Sequence, residues 1–255
     1  MPTPSHWGAM VLAVLAAGCF GGKSADTEAT PEATPGAPPA VAPGDTTGLT
    51  RIRFARGTTS GIVSDSLDAD QTRGYLLGAV RGQVMMVHAI IWPPRQGAEP
   101  AATARVQVFS LEDGGELSAA LGEGPDWSGR LPASGDYVVR VSASAPTAYT
   151  LAMQIPRRLA PGASGPTAAI VGAAPTRAPV DYIIQGSEGQ TLAASIPAGD
   201  PATLHIYGLD RGNQLAPLAE RRKEWAGPLP SSQDYIVSVV PADEGASYEL
   251  TVTVR

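Results

Sequence analysis

Basic charge is scarce in this chain. Its 255 residues include only two lysines, Lys23 and Lys223, and 18 Lys+Arg stand against 24 Asp+Glu, a formal net charge of −6. A protein that grips a phosphate backbone needs a basic face, so no nucleic-acid partner is expected. There is one cysteine, which excludes an intramolecular disulfide. Of three histidines, His6 lies in the N-terminal leader, and His88 and His205 have no acidic or serine motif beside them in sequence. No nucleophile elbow, HExxH, P-loop or GxGxxG string occurs. The expectation is a protein that is not an enzyme and carries no cofactor. Long apolar runs are also missing. The longest, AMVLAVLAA at 9–17, is too short to cross a bilayer as a helix.

Glycine and proline, by contrast, are plentiful, with 29 and 24 copies, and apolar residues reach 43%. That suits many short strands joined by turns around real cores. From Arg51 onward, period-two alternation recurs. Tyr149, Leu151, Met153 and Ile155 share one face, as do Tyr248, Leu250, Val252 and Val254. Val84 to Trp92 is apolar on both faces apart from His88 and reads as a central strand. No long amphipathic helix is written anywhere.

The run at 9–17 has the length and position of a signal-peptide core, followed by Leu15-Ala16-Ala17-Gly18-Cys19. This string resembles the lipobox of bacterial lipoproteins, which implies lipidation of Cys19 and attachment to a membrane through an N-terminal lipid. Ala16 and an n-region without Lys or Arg depart from the usual pattern. Residues 23–48 are rich in Pro, Ala and Thr, cannot bury a core, and read as an extended spacer.

The chain repeats itself. WSGRLPASGDYVVRV at 127–141 returns as WAGPLPSSQDYIVSV at 225–239, with nine of fifteen positions identical. Tyr75, Gly82 and Gln83 match Tyr182, Gly189 and Gln190, and VQVFSLEDGGEL (106–117) matches LHIYGLDRGNQL (204–215). GIVS at 61–64 is aligned with AIVG at 169–172. The offset falls from 107 to 98, so the first copy carries about nine extra residues within 93–105. Each copy has the size of one β-sandwich. The expected layout is a signal at 1–18, lipidated Cys19 and spacer at 19–48, a sandwich at 49–157, a linker at 158–166 and a second sandwich at 167–255. The fold class is all-β, two tandem β-sandwich (jelly-roll-like) domains.

The repeated string reads as a folding staple made of Trp127, Pro132, Asp136 and Tyr137, and again of Trp225, Pro230, Asp234 and Tyr235. Pro and Ser make a turn, Asp136 accepts from backbone amides there, and the tyrosine returns its hydroxyl to the backbone, as at a tyrosine corner. The competing reading is an aromatic ligand patch.

The series RIRFARG (51–57), YLLGA (75–79), Gly82-Gln83, LPASGDYVVRV (131–141) and YTL (149–151) resembles the bacterial pre-peptidase C-terminal (PPC-like) β-sandwich. Within that group it is most similar to the periplasmic inhibitors of g-type lysozyme. The resemblance covers nearly all of the first copy; the second keeps the core strands but lacks the RIRFARG lead. It implies fold, and it maps no inhibitory residue onto this chain. It also raises calcium as a ligand for Asp65, Asp68 and Asp70, although their spacing is not that of an EF-hand and the second copy has no acids there, so a solvated turn is the better reading and no metal is assigned.

Two segments differ most between the copies. LEDGGELSAALGEGPDW carries Glu112, Asp113, Glu116, Glu123 and Asp126, whereas LDRGNQLAPLAERRKEW is mixed in sign. The insertion following Trp92 holds Arg95. Loops on a rigid scaffold carry most recognition, so Trp92, Arg95, Glu112, Asp113 and Glu116 are the candidate binding residues. An acidic edge suits a basic protein partner such as a lysozyme. The bland alternative is drift of solvated loops. The functional expectation is a non-catalytic, exported, lipid-anchored cell-envelope protein binding an unknown protein or glycan, with lysozyme inhibition or an accessory envelope role as the alternatives.

Overall fold

A computed structural model describes residues 41–91, 102–160 and 169–255. Cys19, the leader, most of the spacer, Trp92 and Arg95 fall outside the described residues. The first half contains β1 (Thr50–Arg51), β2 (Ser60–Leu67), β3 (Thr72–Ala79), β4 (Val84–Ile91), β5 (Ala104–Ser110), β6 (Glu116–Leu117), β7 (Asp126–Arg130), β8 (Gly135–Ala143) and β9 (Thr147–Gln154). The second contains β10 (Arg157–Leu159), β11 (Ala169–Ala173), β12 (Val180–Gly186), β13 (Thr191–Ser195), β14 (Ala202–Gly208), β15 (Gln214–Ala216), β16 (Glu224–Pro228), β17 (Gln233–Pro241) and β18 (Ser247–Val254). Among the described residues, helix is limited to one 3-10 turn, Leu218–Glu220, and no helix is long and apolar enough to cross a membrane.

The strand orders of the halves correspond. The first has a five-stranded sheet β1-β3-β8-β5-β6 over a four-stranded sheet β2-β9-β4-β7; the second has β10-β12-β17-β14-β15 over β11-β18-β13-β16. Each pair encloses a core. In the first, Leu77, Val139 and Val141 from one sheet meet Met85, Val87 and Leu151 from the other. In the second, Ile184, Val237 and Ile206 meet Leu192, Leu250 and Val252. A buried tyrosine pair ties the two sheets in each half: the hydroxyls of Tyr75 and Tyr149 are 2.5 Å apart, and those of Tyr182 and Tyr248 are 2.7 Å apart.

The two sandwiches stack. Val84 and Met86, on the outward face of β4, pack with Ile183, Tyr207, Leu209 and Ile236 from the outward face of the second five-stranded sheet. This is why β4 is apolar on both faces: one face lines its own core and the other meets the neighbour. At the equivalent places on β13 the second sandwich has Thr191 and Ala193, on a face that meets no third sandwich.

Two boundaries and one alignment differ from expectation. Arg158 and Leu159, assigned to the linker, lie in β10, which pairs in parallel with β12 just as β1 pairs with β3. The second half therefore has its own form of the leading strand, with Arg158 and Leu159 where the first has Arg51 and Ile52. Val41, assigned to the spacer, is buried together with Leu76, Phe109 and Val138. Cross-strand partners set Val63 opposite Leu151 and Ile170 opposite Leu250, so β2 and β11 align one residue away from the GIVS/AIVG match. A slip of one residue exchanges the faces of a strand. The core-facing positions, Val63 and Ile170, fix the alignment.

Candidate functional site

The repeated string is turned inward. Trp127 is buried, and its indole N–H donates to the Leu117 carbonyl at 3.1 Å. Its ring lies over Gly129, where a Cβ would come within 2.6 Å of the indole; the Trp225 ring lies over Gly227 in the same way, at 3.0 Å. That explains the glycine of W-x-G. Leu131 and Leu229, both buried, exchange two backbone bonds with the Gly-Gln turns: Gly82 and Gln83 in one half, Gly189 and Gln190 in the other. Pro132 and Pro230 follow on exposed turns. Ser134 and Ser232 accept from the amides of Arg81 and Glu188, each at 2.9 Å.

Each tyrosine of the string closes a corner. Tyr137 donates its hydroxyl to the Ala133 carbonyl and Tyr235 to the Ser231 carbonyl, both at 2.6 Å. The aspartates behave otherwise than expected. Asp136 does not bind turn amides; its carboxylate takes both Nη atoms of Arg51, at 3.0 and 2.6 Å. Asp234 takes Arg158 likewise, at 2.6 and 2.8 Å. The guanidinium sits on the parallel leading strand, next to the corner, and outcompetes the amides because a charged bidentate pair is the stronger partner. Arg51 holds the Asp136 carboxyl below its ordinary value, and Arg158 with Arg130 does the same for Asp234 against the opposing effect of burial. The Arg130 bond, 2.6 Å long, comes from the other sandwich.

The main concentration of polar chemistry lies where the sandwiches meet, and sequence inspection misses it. His88 is 4% exposed. Its Nδ1 is 2.7 Å from Asp126 Oδ1, directly across the β4–β7 pair, and its Nε2 is 2.7 Å from Asp181 Oδ2 on β12. No acid stands beside His88 in sequence; the fold brings two to it, from 38 and 93 residues away. Asp181 is itself buried and also accepts from Gln154 Nε2 and Ser238 Oγ. Burial alone would lower the His88 pKa; the Asp181 charge, then hydrogen bonds to both aspartates, outweigh it and raise it from 6.5 to about 10. The ring is thus an imidazolium donating to two carboxylates. His205, whose ring is 4.8 Å from that of Tyr207, lies close enough to feel the same charges, but burial dominates and lowers its pKa. Ser238 donates to the aspartate and not to the imidazole, so the trio lacks the nucleophile–base bond of hydrolytic catalysis. The arrangement clamps one sandwich to the other. Alternation in VDYIIQG puts Asp181 on the outward face with Ile183 and Gln185, opposite the core residues Tyr182 and Ile184, so nothing local in the sequence signals its burial.

The acidic segment of the first sandwich is partly engaged in structure. Asp126 holds His88, Glu123 pairs with Arg105 at 2.8 Å, Glu116 accepts from Gln107 at 2.9 Å, and Asp113 accepts from the Gly115 amide at 2.9 Å. Glu112 stands exposed beside them. Together with Trp127 and Leu117, Arg105, Glu116 and Glu123 line a groove of about 380 Å³ on this edge. Trp92 and Arg95, outside the described residues, are not placed. In the second sandwich the corresponding edge is neutralised differently: Arg222 pairs with Glu220, and Lys223 Nζ donates to backbone carbonyls of Ala198 and Asp200.

Asp65, Asp68 and Asp70 are not brought together. Asp65 sits in β2, 3.5 Å from Arg73 Nε and 3.3 Å from the Tyr75 hydroxyl, while Asp68 and Asp70 lie in the β2–β3 turn. No group of three metal-ligating side chains occurs among the described residues.

Fold and site thus define a two-sandwich all-β protein whose repeated residues hold structure together. No family model matches the chain, and no curated protein matches it. Several solved structures do. The periplasmic inhibitor of g-type lysozyme from Aeromonas hydrophila is 24% identical over 42% of this chain and 94% of its own, with a TM-score of 0.32. The corresponding inhibitor from Salmonella Typhimurium is 21% identical over 43% of this chain and 98% of its own, with a TM-score of 0.30. The CUB1-EGF-CUB2 region of human MASP-1/3 covers 77% of this chain at 9% identity and a TM-score of 0.23.

Proposed function

We propose that this chain is a non-catalytic binding protein of the bacterial cell envelope: exported through the leader at 1–18, lipidated at Cys19, and carrying a duplicated sandwich of the PPC-like kind. The observation that carries the reading is the inward use of the repeated chemistry. Trp127, Tyr137 and Tyr235 are buried, and Asp136, Asp234 and the His88–Asp181 pair are committed to holding strands and sandwiches. What differs between the halves is their loops, and loops on a rigid scaffold are where recognition resides.

The preferred partner is a lysozyme, bound and blocked at a loop of the first sandwich. Support comes from the first copy's sequence likeness to inhibitors of g-type lysozyme, which spans Arg51 to Leu151, and from the acidic edge of the first sandwich, where Glu116 and Glu123 line a groove and Glu112 stands exposed. Carboxylates at a rim steer a basic protein and favour its association. A glycan of the wall remains the second partner class, taken by the same groove.

The test uses the soluble chain from residue 20 onward, titrated against g-, c- and i-type lysozymes in a cell-wall lysis assay. Saturable inhibition near one-to-one, weakened by Glu112→Lys with Glu116→Lys, is the expected result. Absence of inhibition by folded protein in large excess removes the lysozyme reading, and binding to wall fragments without inhibition assigns the partner to glycan.

A further inference from the structure

The outward face of the first five-stranded sheet carries Leu76, Phe109, Leu111 and Val138. The same strand positions in the second sandwich hold Ile183, Tyr207, Leu209 and Ile236, the face that docks on Val84 and Met86. In the first sandwich no neighbour lies there; Val41 and Leu49 do. The correspondence reaches the adjoining hairpins. Gly114 has φ +71°, and a Cβ on it would collide with the Val41 carbonyl; Gly212 has φ +62°, and a Cβ on it would collide with the Ala120 carbonyl of the other sandwich. The segment 41–49 therefore covers, on the first sandwich, the positions equivalent to those at which the second sandwich receives the first.

We propose that this face is a second docking face of the chain, held closed in cis by residues 41–49, and that its partner when the segment lifts is a second copy of the same chain, joined face to face about a two-fold axis. The surface has the pattern of one that this chain already covers with its own sandwich. A head-to-tail contact is disfavoured, because the far face of the second sandwich presents Thr191, Ser195, Glu224 and Thr253. Self-contact buries apolar groups against one another in a self-complementary, isologous interface; of the cations on this face, Arg140 is drawn onto the Phe109 ring, 5.2 Å from its centroid, and Arg51 is paired with Asp136. The covering segment is lightly held. Residues 42–48 between its two apolar anchors are exposed, and one backbone bond, Gly44 N–H to the Leu111 carbonyl at 2.7 Å, joins it to the hairpin.

The experiment compares the chain from residue 20 onward with its Val41→Asp, Leu49→Asp variant by light scattering over a concentration series. The unaltered chain is expected to stay monomeric, and the variant to move to twice the mass as concentration rises. A third protein, with Phe109→Ser added, is expected to return to monomer. A cooperative melt establishes that each is folded. If the double variant does not fold, the chain begun at Thr50 takes its place, and a peptide of residues 38–49 added in excess should dissociate its dimer. A folded uncovered chain that stays monomeric overturns the proposal, as does growth to indefinite mass or an unaltered chain that dimerises equally well.

Discussion

His88 Nε2 lies 2.7 Å from Asp181 Oδ2, and that bond crosses from one sandwich to the other. A second bond on the same ring, to Asp126, stays within the first sandwich. The imidazolium is thereby the hub of the junction, with Gln154 and Ser238 completing the coordination of Asp181. Such a hub is costly to desolvate and severe to break, since removal of one partner leaves a buried charge uncompensated.

The first prediction concerns pH. His88 titrates near 6.5 in an unfolded chain and at about 10 in the folded one. The folded state binds its proton more tightly, so its contribution to stability is complete below about pH 6.5 and is lost as pH rises toward 10. Asp126, Asp181, His205 and Tyr207 are the titratable groups around it. Thermal midpoints measured from pH 6 to 10 should fall steadily for the unaltered chain and much less for His88→Gln. Parallel profiles would show that His88 is not the group responsible.

The second prediction separates the pair from its parts. His88→Gln and Asp181→Asn should each destabilise by about 3–5 kcal/mol, the range for breaking one side of a buried ion pair. The double variant should cost less than their sum, with a coupling of about 1–3 kcal/mol. Urea unfolding of the four proteins measures it. Additive losses would mean that the two side chains do not sense one another.

Much of this architecture is legible in the sequence, because the cues are local. Alternation at Tyr149–Ile155 and Tyr248–Val254, turn chemistry at LPAS and LPSS, and the tyrosine after the aspartate all follow from neighbouring residues. The junction is not local. Asp181 lies 93 residues from His88, and neither repeat helps, because the equivalent of His88 is Ser195 and no symmetry marks the pair. The leading strand of the second half escapes for a similar reason. Only Arg158 and Leu159 of that strand resemble Arg51 and Ile52, and their role appears when Asp234 is placed beside the guanidinium.

The third prediction tests the corner. Tyr137→Phe and Tyr235→Phe each remove a hydroxyl that donates to a backbone carbonyl 2.6 Å away. Each should lower stability by about 1–2 kcal/mol, with Tyr235 the more costly, because Tyr235 and Ser231 are both buried while Ala133 is exposed. Denaturant midpoints at unchanged slope measure both. Equal, negligible losses would place the value of these tyrosines in their rings alone.

The fourth prediction addresses the glycine of the repeated string, whose reason is steric and not conformational. Neither Gly129 nor Gly227 has a positive φ, so alanine meets no backbone penalty at either site. What it meets is the tryptophan two residues earlier, at 2.6 Å from the Trp127 ring and 3.0 Å from the Trp225 ring. Trp127 is fully buried and tied to the Leu117 carbonyl, so it has nowhere to go, whereas Trp225 is only half-buried. Gly129→Ala should therefore cost about 1–3 kcal/mol through overpacking, and Gly227→Ala distinctly less. Indole fluorescence should shift to the red in Gly129→Ala as the ring is pushed from its site. If both variants melt like the unaltered chain, the close approach of ring and backbone is not what holds a glycine at this position.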